Sequence, residues 1–249
     1  MRVLILGGTG EARALAAELS GRPGVAVISS LAGRVSDPAL PVGAVRVGGF
    51  GGVAGLVEYL AGVDVLVDAT HPFAATISAH AAQASAETGR PLLALRRPGW
   101  TPQPGDRWRR VPGIGAAAAV AAALPAGCVF VTTGRRDLAA FAGDSGHDYL
   151  VRTVDPPSAP TPPHMALLLD RGPYTVAGEA ALMRAHAVTA LVTKDSGGEM
   201  TRAKLVAARA RGIPVVMVDR PPLQVGVPAV ATVTEAMEWL DRRRDSAAG

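Results

Sequence analysis

Short aliphatic runs alternate along this chain with longer stretches in which apolar positions recur every three or four residues. Residues 3–6, Val3-Leu4-Ile5-Leu6, are too few for a helix and apolar at every position, which predicts a strand buried on both faces. A helical pattern follows over about 11–19, and the alternation repeats: strands at 24–28, 44–47, 64–67 and 91–95, helices at 53–60 and 73–88. Residues 99–112 are rich in Pro, Gly and Trp and read as a linker or crossover. The pattern then restarts, with strands near 129–131, 149–152, 166–169, 190–192 and 215–218. Helices are predicted at 114–124, 137–141, 175–186, 200–211 and 233–243, and a proline-rich loop at 156–163. The expectation is an α/β chain of two Rossmann-like, doubly wound parallel-sheet domains, 1–98 and 113–249, with a cleft between them.

Chemistry-bearing residues fall where such strands end. Gly7, Gly8, Thr9 and Gly10 follow the first strand, and the helix opening at Glu11 and Ala12 presents unpaired N–H groups and a positive dipole end, so an anion is expected there. The full dinucleotide fingerprint is not met, because Arg13 stands where a third glycine would be. A tight turn without a ligand is the alternative. At the end of the second strand, where a carboxylate would hold a ribose 2′-hydroxyl, stand Ser29, Ser30, Gly33 and Arg34. Hydroxyls and a guanidinium suit a 2′-phosphate instead, so any dinucleotide bound here is expected to be the phosphorylated form; otherwise this is a solvated loop with a surface arginine. The fourth strand delivers Asp68-Ala69-Thr70-His71-Pro72 to the same edge, and Pro72 holds His71 extended. His71 is a site residue or a structural hydrogen-bonder; Asp68 touches ligand or pins the turn.

Composition narrows the class without changing it. Over 249 residues, 49% are hydrophobic and 18% charged, enough for one large or two modest cores. The net charge of +4 comes from dispersed arginines not interleaved with aromatics, which argues against nucleic acid and for a partner carrying several carboxylates or phosphates. The lone Cys128 rules out an intrachain disulfide and a thiolate metal cluster; no metal is assigned, and a reducing, cytoplasmic location is expected. The N-terminus carries no charged-then-apolar leader, and the alanine-rich stretch from Gly113 to Val131 is broken by Pro125 and Gly127, so neither secretion nor a membrane span is expected.

The second half carries its own dense turn, Lys194-Asp195-Ser196-Gly197-Gly198, again at a strand end before a helix. Simple capping by Asp195 or Ser196 beside a solvated Lys194 is the alternative to a site. Four segments taken together resemble the precorrin-6A reductase family of cobalamin biosynthesis. They are Gly7 to Arg13, Ser30 to Arg34, Asp68 to Ala74 with its Thr70-His71-Pro72-Phe73 core, and Lys194 to Gly198. The resemblance implies two Rossmann-like domains and NADPH-dependent hydride delivery to a ring D carbon of precorrin-6A, giving precorrin-6B. It also implies roles. Gly7, Gly8, Thr9, Gly10, Glu11 and Ala12 would cradle diphosphate and ribose, with Glu11 facing a ribose hydroxyl or a backbone amide. Arg34, Gly33, Ser29 and Ser30 would take the 2′-phosphate, and Asp68, Ala69, Thr70, His71 and Pro72 would flank the nicotinamide end. His71, Lys194 and Asp195 are the candidate proton donors, beside water. Thr133, Arg135, Arg136, Arg171, Lys194, Ser196, Gly197 and Gly198 are candidate substrate contacts, with Arg152 a further carboxylate partner.

Rival readings are a cobalt-precorrin-6A reductase, a nucleotide-sensing module and a sugar-nucleotide epimerase. The last needs a Tyr-x-x-x-Lys pair, and none of Tyr59, Tyr149 or Tyr174 has one.

Overall fold

The computed structural model describes residues 1–32, 40–158 and 160–248. The backbone divides into two compact units, 1–98 with 221–249, and 99–220. The first unit opens with β1 (Arg2–Leu6), α1 (Gly10–Ser20), β2 (Ala26–Leu31) and β3 (Ala44–Val47), then α2 (Val53–Leu60), β4 (Val65–Asp68), α3 (Ala75–Thr88) and β5 (Leu92–Leu95). The alternation along β1 explains its unbroken apolar run. Val3 and Ile5 pack on Leu15, Ala16 and Leu19 of α1, whereas Leu4 and Leu6 pack on Leu56 and Leu60 of α2 and Ala81 and Ala84 of α3.

The second unit contains β6 (Trp108–Val111), α4 (Ile114–Ala122), β7 (Cys128–Val131), a 3-10 helix (Arg135–Phe141), β8 (Asp148–Thr153) and β9 (Met165–Leu169). It continues with α5 (Val176–Ala185), β10 (Val188–Lys194), a 3-10 turn (Glu199–Thr201), α6 (Ala203–Ala210) and β11 (Val215–Val218). The chain then returns to the first unit through β12 (Ala229–Val230) and α7 (Val233–Ala248).

Each unit holds a six-stranded sheet, ordered β12-β5-β4-β1-β2-β3 and β6-β11-β10-β7-β8-β9. All strand pairs are parallel. The first is the dinucleotide-binding order, with its switch point between β1 and β4. The second has the same five-strand arrangement about β7 and β10, with β6 as the outer strand.

These outer strands correct the expected boundaries. Residues 99–112 are no linker: β6 pairs along β11, Trp108 with Val215 through Val111 with Val218. Residues 221–249 do not belong with the second sheet. Val230 of β12 pairs with Leu95, and Ala236, Met237 and Leu240 of α7 complete the core beneath α1. Two helices also differ: 137–141 is part of the 3-10 helix, and 200–211 is split into a 3-10 turn and α6. No helix among the described residues is long and apolar enough to cross a membrane.

Candidate functional site

The turn between β1 and α1 is built by Thr9. Its extended backbone (φ −115°, ψ 169°) places its hydroxyl as the N-cap, accepting from the Ala12 amide at 3.1 Å, while the same hydroxyl donates to the Ala69 carbonyl at 2.8 Å. One residue thus ends the strand, starts the helix and ties the turn to the end of β4. Gly8 has φ 111°, a conformation that disfavours any side chain, and a Cβ there would meet no atom within 4 Å. The space above the N-terminus of α1 is open to a ligand. Glu11 does not turn to a backbone amide: its carboxylate pairs with Arg97 Nη1 at 2.7 Å, at the end of β5.

At the end of β2, Ser29 is 2% exposed and its hydroxyl has no hydrogen-bond partner among the described residues. A buried orphan hydroxyl costs stability unless something satisfies it. Ser30 is also buried, and its hydroxyl accepts from Arg46 Nη1 at 3.4 Å. Arg46 is absent from the expectations above; the signal available was its place in the predicted strand 44–47, alongside the strand that ends in the serines. Gly33 and Arg34, expected here, lie outside the described residues.

On the other side of the switch point, Asp68 pins its own loop, its Oδ1 accepting from the Thr70 amide at 3.1 Å and the Thr70 hydroxyl at 2.7 Å. Pro72 is buried, His71 is exposed, and His71 Nδ1 accepts from the Phe73 amide at 3.3 Å. Asp68, Thr70, His71 and Pro72 line a cleft together with Arg96 and residues 221–224. The returning segment, expected in the other domain, therefore shapes this end of the first sheet.

The second sheet brings Thr133 and Gly134, after β7, beside the turn that begins at Lys194, the last residue of β10, and runs to Gly198. Lys194 Nζ pairs with Asp137 Oδ2 at 2.6 Å. Thr133 is 6% exposed with its hydroxyl unpartnered among the described residues. Asp195 is a correction. Its carboxylate is buried and already used, accepting from the Trp100 amide at 2.9 Å and from Arg110 Nη2 at 2.9 Å, while its backbone carbonyl accepts from Arg220 Nε at 2.6 Å. A Cβ at Gly99 would lie 2.7 Å from Asp195 Oδ2, so glycine is needed for that approach. Enclosed in this way, with both oxygens accepting, the carboxylate positions the turn.

The expected arginines separate by environment. Arg136 and Arg171 are exposed, whereas Arg135 pairs with Asp155 at 3.7 Å. Arg152 is a second correction, buried in a two-pronged pair with Glu179 (2.5 and 3.1 Å) and stacked 3.6 Å from the Tyr174 ring centroid. Lys204 lies in the same interior, 4% exposed, donating to the Thr201 carbonyl at 2.9 Å. Burial, helped by the nearby Arg152 charge and opposed by Glu179, pushes its ammonium down to about 7 from an ordinary 10.5. Between those values the unfolded chain binds a proton that the folded one does not, so stability rises with pH across that window and is level below it. Urea midpoints between pH 7 and 10 should therefore climb for the native chain relative to Lys204→Met; parallel curves would contradict a desolvated amine.

With this geometry in place, comparison with known proteins is specific. A sequence model described as precorrin-6x reductase CbiJ/CobK matches residues 2–241. A precorrin-6A reductase of Rhodococcus erythropolis is 54% identical over 241 residues, covering 96% of this chain and 97% of the relative. A cobalt-precorrin-6A reductase of Methanothermobacter thermautotrophicus is 32% identical over 253 residues, covering 92% and 80%. The solved structure of a CobK precorrin-6A reductase superposes with a TM-score of 0.89 at 45% identity, covering 97% of this chain and 96% of that one.

Proposed function

This chain belongs to the precorrin-6x reductase CbiJ/CobK family, whose reaction is the reduction of precorrin-6A in cobalamin biosynthesis, and from that premise we propose that NADPH is the reductant and the carboxyl edge of the first sheet its site. The observation that carries this reading is the open β1–α1 turn, a positive-φ glycine beneath free space at a capped helix N-terminus, placed at the switch point of the dinucleotide-binding strand order. The residues suit the phosphorylated cofactor: serines stand where a carboxylate would otherwise meet the ribose, one of them an unsatisfied buried hydroxyl.

The bound cofactor supplies a hydride, directed here to a ring D carbon of the macrocycle. The protein's task is then binding, orientation and proton supply. Amides of Gly8, Thr9 and Gly10 face the diphosphate, with the Ala12 amide held by the Thr9 cap that shapes the turn, and Gly7 lets the backbone approach closely. Gly33 and Arg34 act with Ser29 and Ser30 on the 2′-phosphate. Thr70, His71 and Pro72, held by Asp68 and Ala69, close the nicotinamide end, where the cleft walls exclude water. In the second unit, Thr133, Ser196, Gly197 and Gly198 line the substrate turn, and Arg136 and Arg171 offer guanidiniums to the carboxylates of the tetrapyrrole. Lys194, oriented by Asp137, gives the proton that the reduction consumes; its three N–H donors make it the better candidate now that Asp195 serves as an acceptor.

The greater identity to the precorrin-6A reductase than to the cobalt-precorrin-6A reductase supports the metal-free substrate. The test is an absorbance assay of the purified protein with precorrin-6A and either NADPH or NADH, repeated with the cobalt-bearing substrate. Faster oxidation of NADPH with the metal-free ring is expected. Equal use of NADH would defeat the cofactor assignment, and preference for the cobalt ring the substrate assignment.

A further inference from the structure

Arg46 lies on β3 in register with Ser30 of β2. Its guanidinium is fixed by the loop that follows the strand: Nη1 donates to the Gly48 carbonyl at 2.6 Å and to the Ser30 hydroxyl at 3.4 Å, and Nη2 donates to the Gly49 carbonyl at 2.7 Å. The Phe50 ring supports it from one face, with Cζ 3.9 Å from the ring centroid. A guanidinium has five N–H donors, and these bonds engage three of them. Among the described residues, the Nε–H and the second Nη2–H remain uncommitted. These are charge-assisted donors of the kind that phosphate oxygens accept.

The position narrows the ligand. In this strand order a dinucleotide crosses the sheet edge from the β1–α1 turn, and its adenosine ribose lies toward the end of β2, next to β3. A phosphomonoester there comes within the province of Ser30 and Arg46, away from the amides of α1 that serve the diphosphate. We propose that Arg46 is a specificity residue for the 2′-phosphate of the cofactor, its uncommitted N–H groups donating to the phosphate oxygens. The carbonyls and the ring that hold the guanidinium leave little side-chain freedom to lose on binding, so the interaction is preorganised. This inference rests on the NADPH reading above.

The test is calorimetric titration of the intact protein with NADPH and with NADH, which differ only in that phosphate, using the native chain, Arg46→Met and Arg46→Lys. The native chain should prefer NADPH. Arg46→Met should weaken NADPH binding by about ten- to a hundredfold, the usual range for a lost charge-assisted hydrogen-bond pair, and leave NADH binding unchanged. Arg46→Lys, a charge without the fork, should recover part of the loss. If Arg46→Met keeps the full preference for NADPH, or weakens both nucleotides equally because the Gly48–Gly49 loop has loosened, Arg46 is not the phosphate residue, while the NADPH reading stands. If the native chain shows no preference, both fall.

Discussion

Lys194→Ala is expected to lower kcat for precorrin-6A reduction by about a hundredfold or more, the contribution of a positioned general acid. Its unfolding midpoint should fall as well: the amine is 21% exposed and the Asp137 carboxylate 19%, so removing the amine leaves a largely enclosed carboxylate without its cation. The reading requires the loss to appear in kcat with NADPH affinity intact, because a proton donor acts on the substrate and not on cofactor binding. Steady-state kinetics with urea unfolding on the same preparation separates the possibilities. A rate that falls only in step with the folded fraction would reduce Lys194 to a residue that shapes the turn.

Glu179→Ala is the substitution expected to cost the most stability. It would leave the Arg152 guanidinium enclosed between Tyr174 and the sheet, with the Lys204 amine nearby and no carboxylate to balance either. Breaking a buried pair from one side costs about 3–5 kcal/mol, because the surviving charge keeps its desolvation penalty. Removing both charges should be far milder. Arg152→Met with Glu179→Leu is therefore predicted to recover most of the loss, and chemical denaturation of the single and double variants measures it. A single-variant loss below about 1 kcal/mol would mean that the pair is solvated in solution.

What could be read from the residues was local. Thr9, the glycines around it and the aliphatic run before them occupy one stretch of chain, and their turn, cap and helix follow from neighbouring positions alone. The switch-point loops at Thr70 and Lys194 were legible for the same reason: each directly follows a strand. Pairings distant in sequence were not. β12 is two residues long, and only its register with Ala94 and Leu95 makes it a strand. Arg109 and Arg110 disguise β6, which is half-exposed at a sheet edge. Asp195 looked like a catalytic carboxylate because its partners, Trp100 and Arg110, are 95 and 85 residues away. Lys204 gave no sign of burial, since the Arg152–Glu179 pair beside it assembles from two other elements. Arg46 shows the limit most clearly: its strand was predicted, but its contact with Ser30 depends on which strands are neighbours.

Gly10→Asp tests, with least damage to the fold, whether the opening glycine turn carries the cofactor's diphosphate. A Cβ at Gly10 meets only Arg13 Nη2, at 3.9 Å, and a carboxylate in the first turn favours the helix dipole, so the thermal midpoint should hold or rise. The same carboxylate would face the diphosphate. Calorimetric titration of this variant with NADPH should show affinity reduced at least about a hundredfold, the effect of a like-charge penalty near 3 kcal/mol; native affinity in a folded Gly10→Asp protein would place the nucleotide elsewhere.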